Sequence, residues 1–121
     1  MKNILLVEDD PFVVEIYTTK LEKAGFSVEI ATDGEEAVKK LKEKRPDLLV
    51  LDIILPNIDG WELLNKIRTE LNLEDLKVVV LSNLSDKNEV KKGLNFGVIK
   101  YLIKANFTPS EVVEEIKKIL Q

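Results

Sequence analysis

Leu48-Leu49-Val50-Leu51-Asp52-Ile53-Ile54-Leu55-Pro56-Asn57-Ile58-Asp59-Gly60 is the stretch that decides the fold. Its first four residues are apolar, rich in strand formers and too few for a buried helix, which predicts a central parallel strand covered on both faces. The run stops at Asp52, and Pro56, Asn57, Asp59 and Gly60 mark a turn-rich loop. A carboxylate is thereby delivered to the C-terminal tip of a strand, where open α/β sheets carry their chemistry.

Working outward, apolar runs alternate with helical patterns five times. Lys2 to Val7 reads as a strand, followed by a helix from about Phe12 to Ala24 that Gly25 closes. Ser27 to Ala31 is the second strand, and Gly34 to Lys44 the second helix, with Asp33 as N-cap and Arg45-Pro46 as its stop. The third helix starts near Asp59-Gly60 and puts Leu63, Leu64, Ile67 and Leu71 on one face. Lys77 to Leu81 is the fourth strand, and Ser85 or Asp86 caps a helix reaching Phe96. Val98 to Ile103 is the fifth strand, and a loop runs through Asn106. Thr108-Pro109-Ser110-Glu111 then opens the last helix with a capping box and a proline at its first position. Val112, Val113, Ile116, Ile119 and Leu120 form the stripe that this helix buries.

Five β/α units with short connections imply an α/β three-layer sandwich, a five-stranded parallel sheet with five helices on its two faces. In the flavodoxin-like order 2-1-3-4-5, the first and third strands are neighbours, so the loops after Val7 and Leu51 share one crevice. The 121 residues read as a single domain over 1–121, with no linker, repeat or output domain.

Composition excludes several function classes. The chain has no histidine, so imidazole catalysis, imidazole zinc ligation and a phosphohistidine within the chain are impossible. It has no cysteine, which removes disulfides and thiolate sites and suits the cytoplasm. Hydrophobic and charged fractions of 45% and 33% are ordinary for a globular protein, and neither a signal peptide nor a membrane span is evident. A net charge of -4 argues against direct nucleic-acid binding.

The predicted crevice gathers Glu8, Asp9 and Asp10 after the first strand, Asp52 after the third, Ser82 at the end of the fourth and Lys104 at the end of the fifth. Two unit charges roughly 5 Å apart repel by about 3 kcal/mol at an effective dielectric near 20, so packed carboxylates require a cation. A hard divalent ion, Mg²⁺ or Mn²⁺, meets that need and leaves a coordination position for a phosphoryl oxygen. A lysine and a hydroxyl opposite suit an incoming phosphoryl group. Asp10, just before Pro11, reads more simply as a helix N-cap, and Trp61 as packing at a helix start.

With these segments in order, the chain resembles the receiver domain of bacterial two-component response regulators over essentially its whole length. The resemblance rests on Leu6-Val7-Glu8-Asp9-Asp10-Pro11, Asp52 through Gly60, Val80-Leu81-Ser82 and Tyr101-Leu102-Ile103-Lys104. It implies that Asp52 is the phosphoacceptor and also a metal ligand, Asp9 a direct Mg²⁺ ligand, Glu8 an acidic partner acting mainly through water, and the Ile54 backbone carbonyl a further ligand. It also implies that Ser82 and Lys104 contact the phosphoryl group, and that Tyr101 is an aromatic switch that turns inward as Ser82 moves; an aromatic on a terminal strand is otherwise half-buried core. The expected role is a stand-alone signalling switch, not an enzyme in its own right, that assists its own phosphotransfer and dephosphorylation. A histidine kinase or histidine phosphotransfer protein would supply the phosphoryl group. A downstream protein would dock on the face formed by the fourth helix, fifth strand and fifth helix.

The family pattern is not followed everywhere. Ala105 stands where a proline with a cis bond is usual, Asn83 where a small residue follows the hydroxyl, Val98 where alanine is common and Lys100 where an acid is frequent. A cis bond to alanine would cost about 3 to 4 kcal/mol, so a trans Lys104–Ala105 bond is expected. Three rival readings fit less well. An aspartyl phosphatase of the haloacid dehalogenase type needs a second aspartate where Ile54 stands. A flavin or nucleotide carrier needs a phosphate-binding loop where Glu8-Asp9-Asp10 would repel phosphate. A receiver-like scaffold that is never phosphorylated would not need the acidic cluster, Ser82 and Lys104 together.

Overall fold

A computed structural model describes residues 1–84 and 86–121. Five parallel strands, β1 (Asn3–Val7), β2 (Ser27–Ala31), β3 (Leu48–Leu51), β4 (Val78–Ser82) and β5 (Lys100–Ile103), pair in the order β2-β1-β3-β4-β5. The helices are α1 (Pro11–Lys23), α2 (Gly34–Glu43), α3 (Gly60–Thr69), α4 (Lys87–Asn95) and α5 (Pro109–Ile119). Period-two alternation along the strands divides the core into two layers. Leu5, Val7, Leu49, Leu51, Val78 and Val80 face Ala37, Leu41, Leu63, Leu64 and Ile67 of α2 and α3. Ile4, Leu6, Leu48, Val50, Val79 and Leu81 face Tyr17 and Leu21 of α1 and Val112, Val113 and Ile116 of α5. The predicted three-layer sandwich and its strand order are what the chain adopts.

The helix starts follow local chemistry. Asp10, Asp33, Asp59 and Asp86 each accept backbone N–H bonds at the starts of α1 to α4, and Thr108 with Glu111 completes the capping box of α5. Asp10 is thus an N-cap as expected, and Asp86 caps α4; Ser85, the alternative cap, lies outside the described residues.

Three expectations need correction. Lys104–Asn106 is a single 3-10 turn and not an open loop. The fifth strand begins at Lys100 and not at Val98, because the Val98 N–H bonds back to Gly93 O at 3.2 Å and closes the end of α4. The fourth strand runs one residue later than predicted, from Val78 to Ser82, although the Lys77 carbonyl still accepts from Leu49 N–H. Among the described residues no peptide bond is cis, so Lys104–Ala105 is trans as expected. No described helix is long and apolar enough to cross a membrane.

Candidate phosphoacceptor site

Sheet register assembles the site. Val7 pairs with Leu51, so the next residues along the two strands, Glu8 and Asp52, emerge side by side, and Asp52 N–H bonds to Val7 O at 3.0 Å. Ser82 pairs with Ile103, which puts Lys104 one residue beyond the hydroxyl on the adjacent strand. The loop after Asp52 is closed from behind by α3. Gly60 N–H bonds to Ile53 O at 2.8 Å, and a Cβ on Gly60 would lie 2.5 Å from Ile53 Cα. Only glycine allows that approach, which is the physical content of the Asp59-Gly60 pair read from the sequence.

Glu8 and Asp52 are buried at 2% and 7% relative exposure, whereas Asp9 is exposed. The Lys104 ammonium bridges the two buried acids, 2.6 Å from Glu8 Oε2 and 3.0 Å from Asp52 Oδ2. The other oxygens bond locally, Glu8 Oε1 to Asp10 N–H at 3.2 Å and Asp52 Oδ1 to Ile54 N–H at 3.1 Å. Burial raises the Glu8 pKa; the Lys104 hydrogen bond opposes this and the charge on Asp52 adds to it, and burial prevails. For Lys104, burial works to lower the pKa, but hydrogen bonds and charge from Glu8 and Asp52 outweigh it and hold the ammonium above its usual value.

One carboxylate oxygen each from Glu8, Asp9 and Asp52 lies within 4.8 Å of the others. Three acids against one lysine leave an excess of negative charge and an all-oxygen donor set open on the Asp9 side. That chemistry fits a hard divalent cation. Ser82 is fully buried, and its Oγ accepts from Leu84 N–H at 3.3 Å, which leaves the hydroxyl proton free to donate. The Ile54 side chain stands 59% exposed at the mouth of the crevice.

Tyr101 of β5 packs against α4. It is half-buried, its hydroxyl donates to the Leu84 carbonyl, and its ring sits 6.4 Å from that of Trp61. Burial first, then the charges of Glu89 and Asp52, push its pKa up to about 12. Gly93 of α4 makes room for this arrangement, since a Cβ there would come within 3.2 Å of Tyr101 Cδ2 and 3.3 Å of Trp61 Cη2.

Three residues do more than the sequence alone suggests. Trp61 packs, as expected, but its Nε1 also donates to Glu89 of α4, Lys92 lies 5.6 Å above its ring, and Phe96 stacks on it. Arg68 donates to the carbonyls of Leu73, Leu76, Phe96 and Gly97, among others, so it ties the end of α3 to the end of α4. Its signal was its place four residues after Leu64, beside the apolar stripe. Asn83 accepts from Ala105 N–H at 3.0 Å, joining two positions that each depart from the family pattern.

A family model described as the response regulator receiver domain matches residues 4–117. The alkaline phosphatase synthesis transcriptional regulatory protein PhoP of Bacillus subtilis is 36% identical over 120 residues, which cover 99% of this chain and 49% of that protein. The chain spans about half the length of the curated relatives it matches. Among solved structures, a two-component response regulator from Clostridium difficile superposes with a TM-score of 0.90 at 31% identity, covering 99% of this chain and 96% of the other. A CheY-like receiver domain protein from Methanospirillum hungatei gives the same score and identity, covering 99% and 94%.

Proposed function

The chain belongs to the response regulator receiver domain family of two-component signalling proteins, and from that premise we propose that Asp52 accepts a phosphoryl group in a Mg²⁺-dependent reaction and that the protein relays the signal by protein contacts. The observation that carries this reading is the pair of buried carboxylates, Glu8 and Asp52, bridged by one ammonium beside the exposed Asp9. An acid held at the mouth of a crevice by two fixed donors is a positioned nucleophile, not a solvated surface group.

In the proposed transfer, an Asp52 oxygen attacks phosphorus while the bond to the donor breaks. With no histidine in the chain, the donor is a phosphohistidine of a kinase or phosphotransfer protein, or a small phosphodonor. Glu8, Asp9, Asp52 and the Ile54 carbonyl would hold Mg²⁺ or Mn²⁺, which supplies charge neutralisation at the phosphoryl oxygens when bound. Lys104 exchanges its Asp52 contact for a phosphoryl oxygen, and the Ser82 hydroxyl donates to another. Movement of Ser82 is felt at Leu84, whose N–H bonds to Ser82 and whose carbonyl holds Tyr101. The signal is thereby passed to the α4–β5–α5 face, where Leu94 and Ile99 are 59% and 44% exposed and a downstream protein would dock. Work in the cytoplasm, with no direct nucleic-acid or membrane contact by this domain, fits the composition.

Incubation with Mg²⁺ and a small phosphodonor, followed by intact mass, tests the reading. The wild type should gain one phosphoryl group and Asp52→Asn none. Equal gain in both, or none in either, would remove Asp52 from the role.

A further inference from the structure

We propose that Asn83 is a positioning residue for phosphoryl transfer. Its side-chain oxygen holds the Ala105 N–H and so fixes the turn that aims Lys104 at Glu8 and Asp52. This inference rests on the phosphoacceptor reading of Asp52.

The residues at either end of this strap give it meaning. Asn83 directly follows Ser82, and Ala105 directly follows Lys104, so one 3.0 Å hydrogen bond across 22 positions links the end of the strand that carries the hydroxyl to the turn that carries the ammonium. Ala105 lies within the 3-10 turn Lys104–Asn106, whose first N–H groups have no partner inside the turn. Its N-cap residue, Ile103, has no side chain able to accept, and no local side-chain cap forms. Asn83 supplies the missing acceptor from the neighbouring strand end.

The two departures from the family pattern are chemically complementary. A proline after the lysine would have no N–H to offer, and a small residue after the serine would have no oxygen to receive one. Alanine and asparagine provide both halves. Where a proline would restrict the backbone by its ring, the trans Lys104–Ala105 segment is restrained by a hydrogen bond to the Ser82 loop. Because that bond runs to the residue after Ser82, displacement of the hydroxyl toward a phosphoryl group also pulls on the turn carrying Lys104. The two phosphoryl contacts are thus coupled through backbone and not only through the ligand.

The bond is exposed to solvent, so its loss should cost a small factor, about two- to fivefold in phosphorylation rate. The test compares wild type, Asn83→Leu, which keeps bulk without the acceptor, and Asn83→Asp, which keeps the oxygen. Ala105 amide exchange should speed up in the leucine variant only. The rate of phosphorylation by a small phosphodonor should fall in Asn83→Leu, yet the same substitution should have no effect in a Lys104→Ala background, because Asn83 acts through the lysine. Unchanged Ala105 exchange in Asn83→Leu, or an equal loss of rate in both backgrounds, would overturn the proposal. Should the wild type take no phosphate at all, the phosphoacceptor reading falls separately. The strap is then judged by the Ala105 amide and the Lys104 Cε resonance, and is overturned if Asn83→Leu leaves either unmoved.

Discussion

Helices α3 and α4 pack on the same side of the sheet but are held there by different forces. Helix α3 buries Leu63, Leu64 and Ile67 completely and closes its first turn onto the backbone behind Asp52. Helix α4 buries only Gly93, while Leu94 stands 59% exposed. What holds α4 is a set of polar and aromatic contacts: Trp61 to Glu89, Lys92 over the Trp61 ring, Phe96 stacked on it, and Arg68 at its end. Each fully buried Leu or Ile contributes about 1.5 to 3 kcal/mol, whereas one hydrogen bond or aromatic pair contributes about 1. The difference teaches that α3 is a fixed wall for the Asp52 loop and α4 an element whose contacts can be exchanged at small cost. An element of low local stability beside a site that changes charge is where a signal can be expressed.

The sharpest contrast lies in single side chains. Leu64→Ala should cost about 2 to 5 kcal/mol by opening a cavity under the sheet, and Leu94→Ala less than about 0.5, both read by urea unfolding. Similar costs for the two would erase the distinction between the helices.

Arg68 ties the two helices at their C-terminal ends, as Trp61 and Glu89 do near their starts. Its guanidinium donates to carbonyls in the α3–β4 connection and at the end of α4, and Arg68→Ala should cost about 2 to 4 kcal/mol by leaving several carbonyls without a donor. Arg68→Lys should recover little, because an ammonium cannot span those carbonyls. Full recovery by lysine would mean that charge, and not the planar fork, makes the tie.

A smaller effect is expected from metal. Millimolar Mg²⁺ should raise the melting temperature by relieving repulsion among Glu8, Asp9 and Asp52, and should raise it less in Asp9→Asn. An equal rise in both proteins would take Asp9 out of the proposed metal site. Smallest of all is the contribution of Tyr101. Its folded pKa of about 12 exceeds the ordinary 10, so the neutral phenol favours the folded state below pH 10, and that contribution is lost as pH rises toward 12. Alkaline unfolding of Tyr101→Phe should show a shallower loss of stability in that window; an unchanged slope would mean that the phenol is not held by the α4 side.

The same contrast explains what was readable in the sequence. The strands and α3 were legible because apolar runs and three-four spacing report burial directly, and Asp52 was legible because the run beside it ends abruptly. Glu8, Ser82 and Lys104 followed from strand order, which needs only the alternation of elements. What composition and periodicity could not give were contacts between loops. The bond from Ala105 to Asn83 and the carbonyls gathered by Arg68 depend on how chain segments distant in sequence turn toward each other. The Lys104–Asn106 turn and the late start of β5 escaped for the same reason, since backbone bonds to Lys104 O and Gly93 O define them, with no residue pattern to announce either. The acceptor for the Tyr101 hydroxyl, the Leu84 carbonyl, is likewise a backbone group.

The most direct measurement follows backbone amide and Trp61 indole resonances before and after treatment with Mg²⁺ and beryllofluoride, in wild type and Asp52→Asn. The account predicts large shifts at Asp52, Ser82, Lys104, the Trp61 indole and along α4, small ones along α3 beyond its first turn, and none of these in Asp52→Asn. Shifts of equal size along α3 and α4, or the same shifts in Asp52→Asn, would contradict it.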